Sequence, residues 1–119
     1  MARTDLTVTP VVGPYPSLQP AALSLDITFA AADVANGNQF AGSGEDILLV
    51  WNDGGAAAYY FTATSKADAL NRTGDITQYD VAIDAISQFK FKNLGWRQSD
   101  GKIYIDAENT SLKFAVLSL

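Results

Sequence analysis

At 119 residues the chain has the length of one domain, and eight Lys and Arg against thirteen Asp and Glu leave a net charge of −5, a field that opposes nucleic acid and anionic membrane. Cys and His are both absent, which removes disulfides, the usual zinc sites and every Ser–His–Asp or Cys–His mechanism. The opening MARTDLTVTP lacks the apolar stretch of a signal peptide, and no apolar run nears the ~18 residues of a membrane span, so a soluble protein is expected.

The first element is an arm. All four prolines, Pro10, Pro14, Pro16 and Pro20, lie in the first twenty positions, and no charged side chain occurs between Asp5 and Asp26. Proline fixes φ and lacks an N–H, so TPVVGPYPSLQP is predicted to run extended rather than as a helix or central strand. A solvated tail would carry charge and lack Val11, Val12, Tyr15 and Leu18, so the segment is expected to lie against a surface, its own domain's or a partner's. Residues 1–22 are read as this extended N-terminal arm and 23–119 as a single domain. At ~3.1 Å per residue the arm reaches roughly 60 Å.

From Leu23 onward, short runs of β-branched and aromatic residues alternate with Gly, Asn and Asp clusters, which predicts an all-β protein. Leu23, Leu25, Ile27 and Phe29 alternate with Ser24, Asp26 and Thr28 as a half-buried strand. A turn at Asn36-Gly37 follows, then a more deeply buried strand over Ile47–Trp51. Asn52-Asp53-Gly54-Gly55 is expected to link that strand to AAAYYFTAT as a hairpin. Ser65–Leu70 is the best candidate for a helical turn, with Ser65 as its cap. Strands are predicted over 76–83 and again around Phe89 and Phe91, whose rings share one face while Lys90 and Lys92 take the other. Trp96-Arg97-Gln98 and Lys102–Asp106 are expected to form a hairpin about Ser99-Asp100-Gly101. The last strand, LKFAVLSL, is apolar on both faces beyond Lys113, as in a central strand or an intersubunit edge. Eight or nine strands of this kind fit an antiparallel two-sheet sandwich of jelly-roll-like topology.

Carboxylates are the remaining candidates for chemistry. Asp75, Asp80 and Asp84, with Glu45 and Asp46, can supply the two carboxyls of a glycosidase, but Asp is also the usual turn residue, and no catalytic pair is assigned. Asn52, Asp53 and the Gly54-Gly55 backbone, or Gly44-Glu45-Asp46, offer oxygen ligands to calcium without matching a loop motif. Gly42-Ser43-Gly44 precedes a strand, not the helix a phosphate cradle needs. Alternation places the rings of Phe89 and Phe91 opposite Lys90 and Lys92, which argues against a stacking platform for single strands beside Trp96 and Arg97. Tyr59, Tyr60 and Trp96 can stack on sugars or pack in the core. No metal or cofactor is assigned.

The strings RTDLTVTPVVGPYP, RTGDIT, GWRQSDGKIY and KFAVL make the chain similar, over almost its whole length, to small structural proteins of tailed bacteriophages. It resembles the head decoration, or cement, proteins among them. The resemblance implies a non-enzymatic jelly-roll or sandwich subunit, made in the host cytoplasm and placed on the outer capsid surface. Its implied partners are the major capsid protein and itself, as a homotrimer. On that view Leu6, Val8, Val11, Val12, Tyr15 and Leu18 contact the partner, and Phe114, Val116, Leu117 and Leu119 serve the core or the trimer. The alternatives are a neck, tail or baseplate component and a carbohydrate-binding module displayed on the virion through exposed Tyr or Trp.

Overall fold

The computed structural model describes residues 2–11, 26–54 and 56–119. Those residues form ten strands and no helix: β1 (Thr4–Asp5), β2 (Val8–Pro10), β3 (Ala30–Ala31), β4 (Asn38–Ala41), β5 (Asp46–Asn52), β6 (Tyr59–Thr64), β7 (Ile76–Val81), β8 (Ile86–Phe91), β9 (Lys102–Ala107) and β10 (Leu112–Ser118). One sheet runs β1-β4-β9-β6-β7 and the other β2-β10-β5-β8, with β3 sharing the β2 side of β10. The architecture is β-sandwich-like.

β5 shows why these residues make strands. Asp46, Leu48, Val50 and Asn52 are buried, whereas Ile47, Leu49 and Trp51 on the opposite face are half-buried, the period of two that a pleated backbone imposes. β10 lies between β5 on one side and β2 with β3 on the other, so the apolar terminal run is a central strand. The rings of Phe89 and Phe91 face inward and Lys90 and Lys92 outward, as alternation predicts.

The two sheets meet through aromatic side chains. Phe61 of β6 is fully buried and meets Phe89 of β8 at 4.9 Å and Phe114 of β10 at 6.4 Å between ring centroids, both edge to face. Phe40 of β4 meets Phe91 of β8 at 6.1 Å, so β8 passes obliquely over the facing sheet. Leu48, Val50, Val81, Ile103, Ile105, Leu112 and Val116 fill the space between. Edge-to-face rings add about 0.5–1.5 kcal/mol per pair beyond the area they bury.

Several expectations are corrected. The sheets are mixed, not wholly antiparallel, because β1 joins β4 and β2 joins β10 in parallel; a segment that arrives through a long connection is not bound to the antiparallel sense of a hairpin. β5 and β6 are not a hairpin. They lie in different sheets, and the Asp53–Ala58 connection carries the chain from one to the other. Ser65–Leu70 is a turn-containing loop, since the Ser65 hydroxyl donates to Asp75 at 2.6 Å and accepts from the Gly74 N–H at 2.8 Å instead of capping a helix. Ile27–Phe29 lies outside any strand, with β3 confined to Ala30–Ala31. Trp96–Gln98 is not a strand either, although the Gln98 carbonyl accepts from Gly101 and the Gln98 N–H donates to Lys102 around the expected turn. The strand expected over 76–83 ends at Val81. Leu23 and Leu25 lie outside the described residues.

Candidate functional site

The surface most suited to contact is the outer face of the β2-β10-β5-β8 sheet. Register brings Trp51 beside Lys113 of β10 and Ile86 of β8, Leu49 between Ala115 and Gln88, and Ile47 between Leu117 and Lys90. The β5 column of this grid is apolar, with Ile47, Leu49 and Trp51 half-buried; Leu117 beside it is half-buried, Ile86 is 58 % exposed, and Gln88 flanks Leu49. Phe29 lies edge to face with Trp51 at 5.5 Å. The charges sit toward its ends and are paired, Lys113 with Asp53 at 3.0 Å and Lys90 with Glu45 at 2.9 Å. The hydrogen bond from Lys90 holds the Glu45 carboxyl below the usual carboxylate range. Exposed apolar patches rimmed by polar residues are the usual form of protein contact surfaces.

The N-terminal segment is docked by a clasp that the sequence alone did not signal. Arg3 forks the Asp106 carboxylate at 2.9 and 3.2 Å, donates to the carbonyls of Asn38 and Ile105 at 3.2 Å, and sits 4.5 Å over the Tyr104 ring. Gly37 makes room for it. Its φ is +79°, and a Cβ there would collide with the Arg3 guanidinium and Asp106. Two residues after β1 starts, Leu6 enters the core at 7 % exposure, and its N–H donates to Gln39 at 2.7 Å. Residues 2–11 thus contribute a strand to each sheet.

A third feature is a groove of about 640 Å³ between the loop 65–74 and the turn 93–96, lined by Lys66, Arg72, Leu94 and Trp96 among others. The Lys66 N–H donates to Gly95 at 2.8 Å and ties its two walls together. Asp68 organises one wall by accepting from the Leu70 and Arg72 N–H groups and from the Arg72 guanidinium, and the Arg72 N–H above all holds its carboxyl below the usual carboxylate range. Trp96 lies edge to face against Phe91 at 5.0 Å.

Comparison with family models, curated proteins and solved structures finds no match to this chain.

The residues singled out from sequence are placed as follows. Leu6, expected at a partner, is packed in the chain's own core, where its isobutyl group is out of a partner's reach. Val8 is half-buried against that core, and Val11 is 52 % exposed. Val12, Tyr15 and Leu18 lie outside the described residues. Phe114 and Val116 are core residues at 1 % exposure, Leu117 lies on the outer face, and Leu119 is 65 % exposed.

The carboxylates do not converge. Asp75 lies just before β7 and Asp80 near its other end, Asp84 is in the turn after it, and Asp46 opens β5 of the other sheet with Glu45 just before it. Each of the two calcium candidates is otherwise engaged. The Asn52 amide donates to the Ala57 and Val81 carbonyls at 2.9 and 3.0 Å, and Asp46 accepts from the Ser43 N–H at 2.8 Å. Among the described residues no three metal-ligating side chains cluster. Tyr59 and Trp96 border opposite ends of β6, because the groove begins at Ser65, just past its last residue.

Proposed function

We propose that the protein is a non-enzymatic structural component of a tailed-phage virion, a decoration protein that binds the outer surface of the assembled head and staples neighbouring capsomers. The observation that carries this reading is the apolar outer face of the β2-β10-β5-β8 sheet, whose charges are paired at its ends. Such a face binds a preformed protein surface by burial, without the convergent acid and base that a hydrolase needs. The sequence resemblance supplies the particle. A subunit that binds the expanded shell and not its precursor stabilises the expanded state by mass action.

The jelly-roll form belongs to the same proposal. In its support, β3-β10-β5-β8 and β4-β9-β6-β7 are the two antiparallel strand orders produced when a ribbon of eight strands folds over on itself. The proline-rich arm reaches the shell through Val11, Val12, Tyr15 and Leu18, and the decorating unit is a homotrimer that assembles only on the shell.

Quantitative mass spectrometry of purified particles tests the proposal. A copy number equal to, or a simple fraction of, that of the major shell subunit is expected; a trace amount would move the protein to the neck, tail or baseplate, and absence would refute a virion role. Replacing Val12, Tyr15 and Leu18 together by Ser should lower occupancy on heads, and unchanged occupancy would remove the arm from the mechanism. The groove beside Trp96 favours one second reading, a glycan-binding module; glycan-dependent quenching of tryptophan fluorescence would support it, and no response on a broad glycan array would count against it.

A further inference from the structure

Among the described residues the two sheets present four lateral edges, and three of them are blunted. β1 has only two residues, and β2, which ends at Pro10, shares its edge with the two-residue β3. β7 is interrupted by a bulge opposite Phe61 and Ala63, holds Gln78 at φ +51°, and carries Asp80. β8 has none of these devices: it is six residues long, without Pro, Gly or a register break against β5. Regular open edges of this kind are templates for another strand.

The hydrogen-bond phase of β8 shows what its edge offers. The Asn52 N–H donates to Ala85 and the Asn52 carbonyl accepts from Asp84, so by alternation Val50, Leu48 and Asp46 turn their backbone groups toward Ser87, Phe89 and Phe91. The N–H and C=O groups of Ile86, Gln88 and Lys90 therefore point out of the sheet edge, and no partner for them occurs among the described residues. All three side chains are exposed. An edge lysine ordinarily guards against pairing, but the Lys90 ammonium is folded back onto Glu45 at 2.9 Å.

We propose that β8 pairs antiparallel with β8 of a second copy of this chain, about a two-fold axis at Gln88. In that register Ile86 of each copy lies opposite Lys90 of the other. The two Lys90 side chains stay apart, and each aliphatic stem covers an exposed isoleucine. The three outward-facing residues of each strand exchange about six N–H···O bonds. The two outer apolar faces then become one continuous surface. This association needs only the open edge and does not depend on a virion role.

An edge pairing this short falls below the area of a standard stable interface, so the dimer is expected to be concentration-dependent over roughly 1 µM to 1 mM. Sedimentation velocity on the full chain should show the mass doubling across that range. Hydrogen exchange should slow at the Ile86, Gln88 and Lys90 amides as concentration rises. Gln88→Pro removes an N–H that its own sheet does not use, and Ile86→Lys places like charges opposite each other; both should hold the protein monomeric with an unchanged circular dichroism spectrum. If Gln88→Pro fails to fold, Ile86→Lys and the exchange profile decide. A monomer throughout the range, or an oligomer that survives the folded variants, would overturn the proposal.

Discussion

Replacing Leu6 by Ala tests whether the N-terminal segment belongs to the domain. Leu6 is 7 % exposed and clusters with Phe40, Phe114 and Val116, residues of both sheets. Truncation removes its transfer free energy and leaves a cavity, which for a buried leucine costs about 2–5 kcal/mol. Leu6 sits where a short edge segment crosses from one sheet to the other and can partly close the cavity, so a cost of about 2–3 kcal/mol is expected. With an unfolding entropy of ~2.1 cal/mol/K per residue, ~0.25 kcal/mol/K for this chain, that corresponds to a fall in Tm of roughly 8–12 °C. Urea titration should show a lower midpoint at unchanged slope. Val11→Ala, at a site 52 % exposed, is the control and should stay within about 0.5 kcal/mol. A Leu6→Ala loss below about 0.5 kcal/mol would show that Leu6 does not fill the core and that residues 2–11 are an arm after all.

Gly37→Ala should cost more than the ~1 kcal/mol of an ordinary left-handed glycine, because the new methyl also displaces the Arg3–Asp106 pair; thermal melts of this variant and of Arg3→Ala read both effects. Asn52→Ala leaves the Val81 and Ala57 carbonyls without their donor and should cost about 1–3 kcal/mol by urea titration, while Asn52→Asp should be at least as damaging. Folding lowers the pKa values of Asp5 through Gln39, Asp33 through Thr4, Glu45 through Lys90, Asp75 through the Ser65 hydroxyl and Asp100 through the Tyr104 hydroxyl. Their stabilisation is therefore complete above the unfolded values near 4 and is lost as pH falls through the folded values. Tm should be flat from about pH 7 to 5 and decline below about pH 4; a maximum near pH 4 would contradict that sign. Since Asp5 and Asp33 both hold β1 and its neighbour, the β1 amides should lose exchange protection first in acid.

Period-two alternation and turn residues made the all-β class legible in the sequence, along with the inward phenylalanines of β8. Those are local properties, carried by neighbouring residues and the pleat of one strand. Which strands pair was not local. Asn52-Asp53-Gly54-Gly55 marks a reversal whether the chain returns to the same sheet or crosses to the other, and only the packing of Phe61 against Phe89 and Phe114 puts β6 opposite β5's sheet. The same holds for Leu6, whose place in the core depends on contacts with residues more than thirty positions away. The candidate surface divides likewise. Its apolar residues were visible as Ile47–Trp51 and the terminal run, but their assembly into one outer face, and the open edge of β8 beside it, follow from register and sheet order, which tertiary packing alone selects.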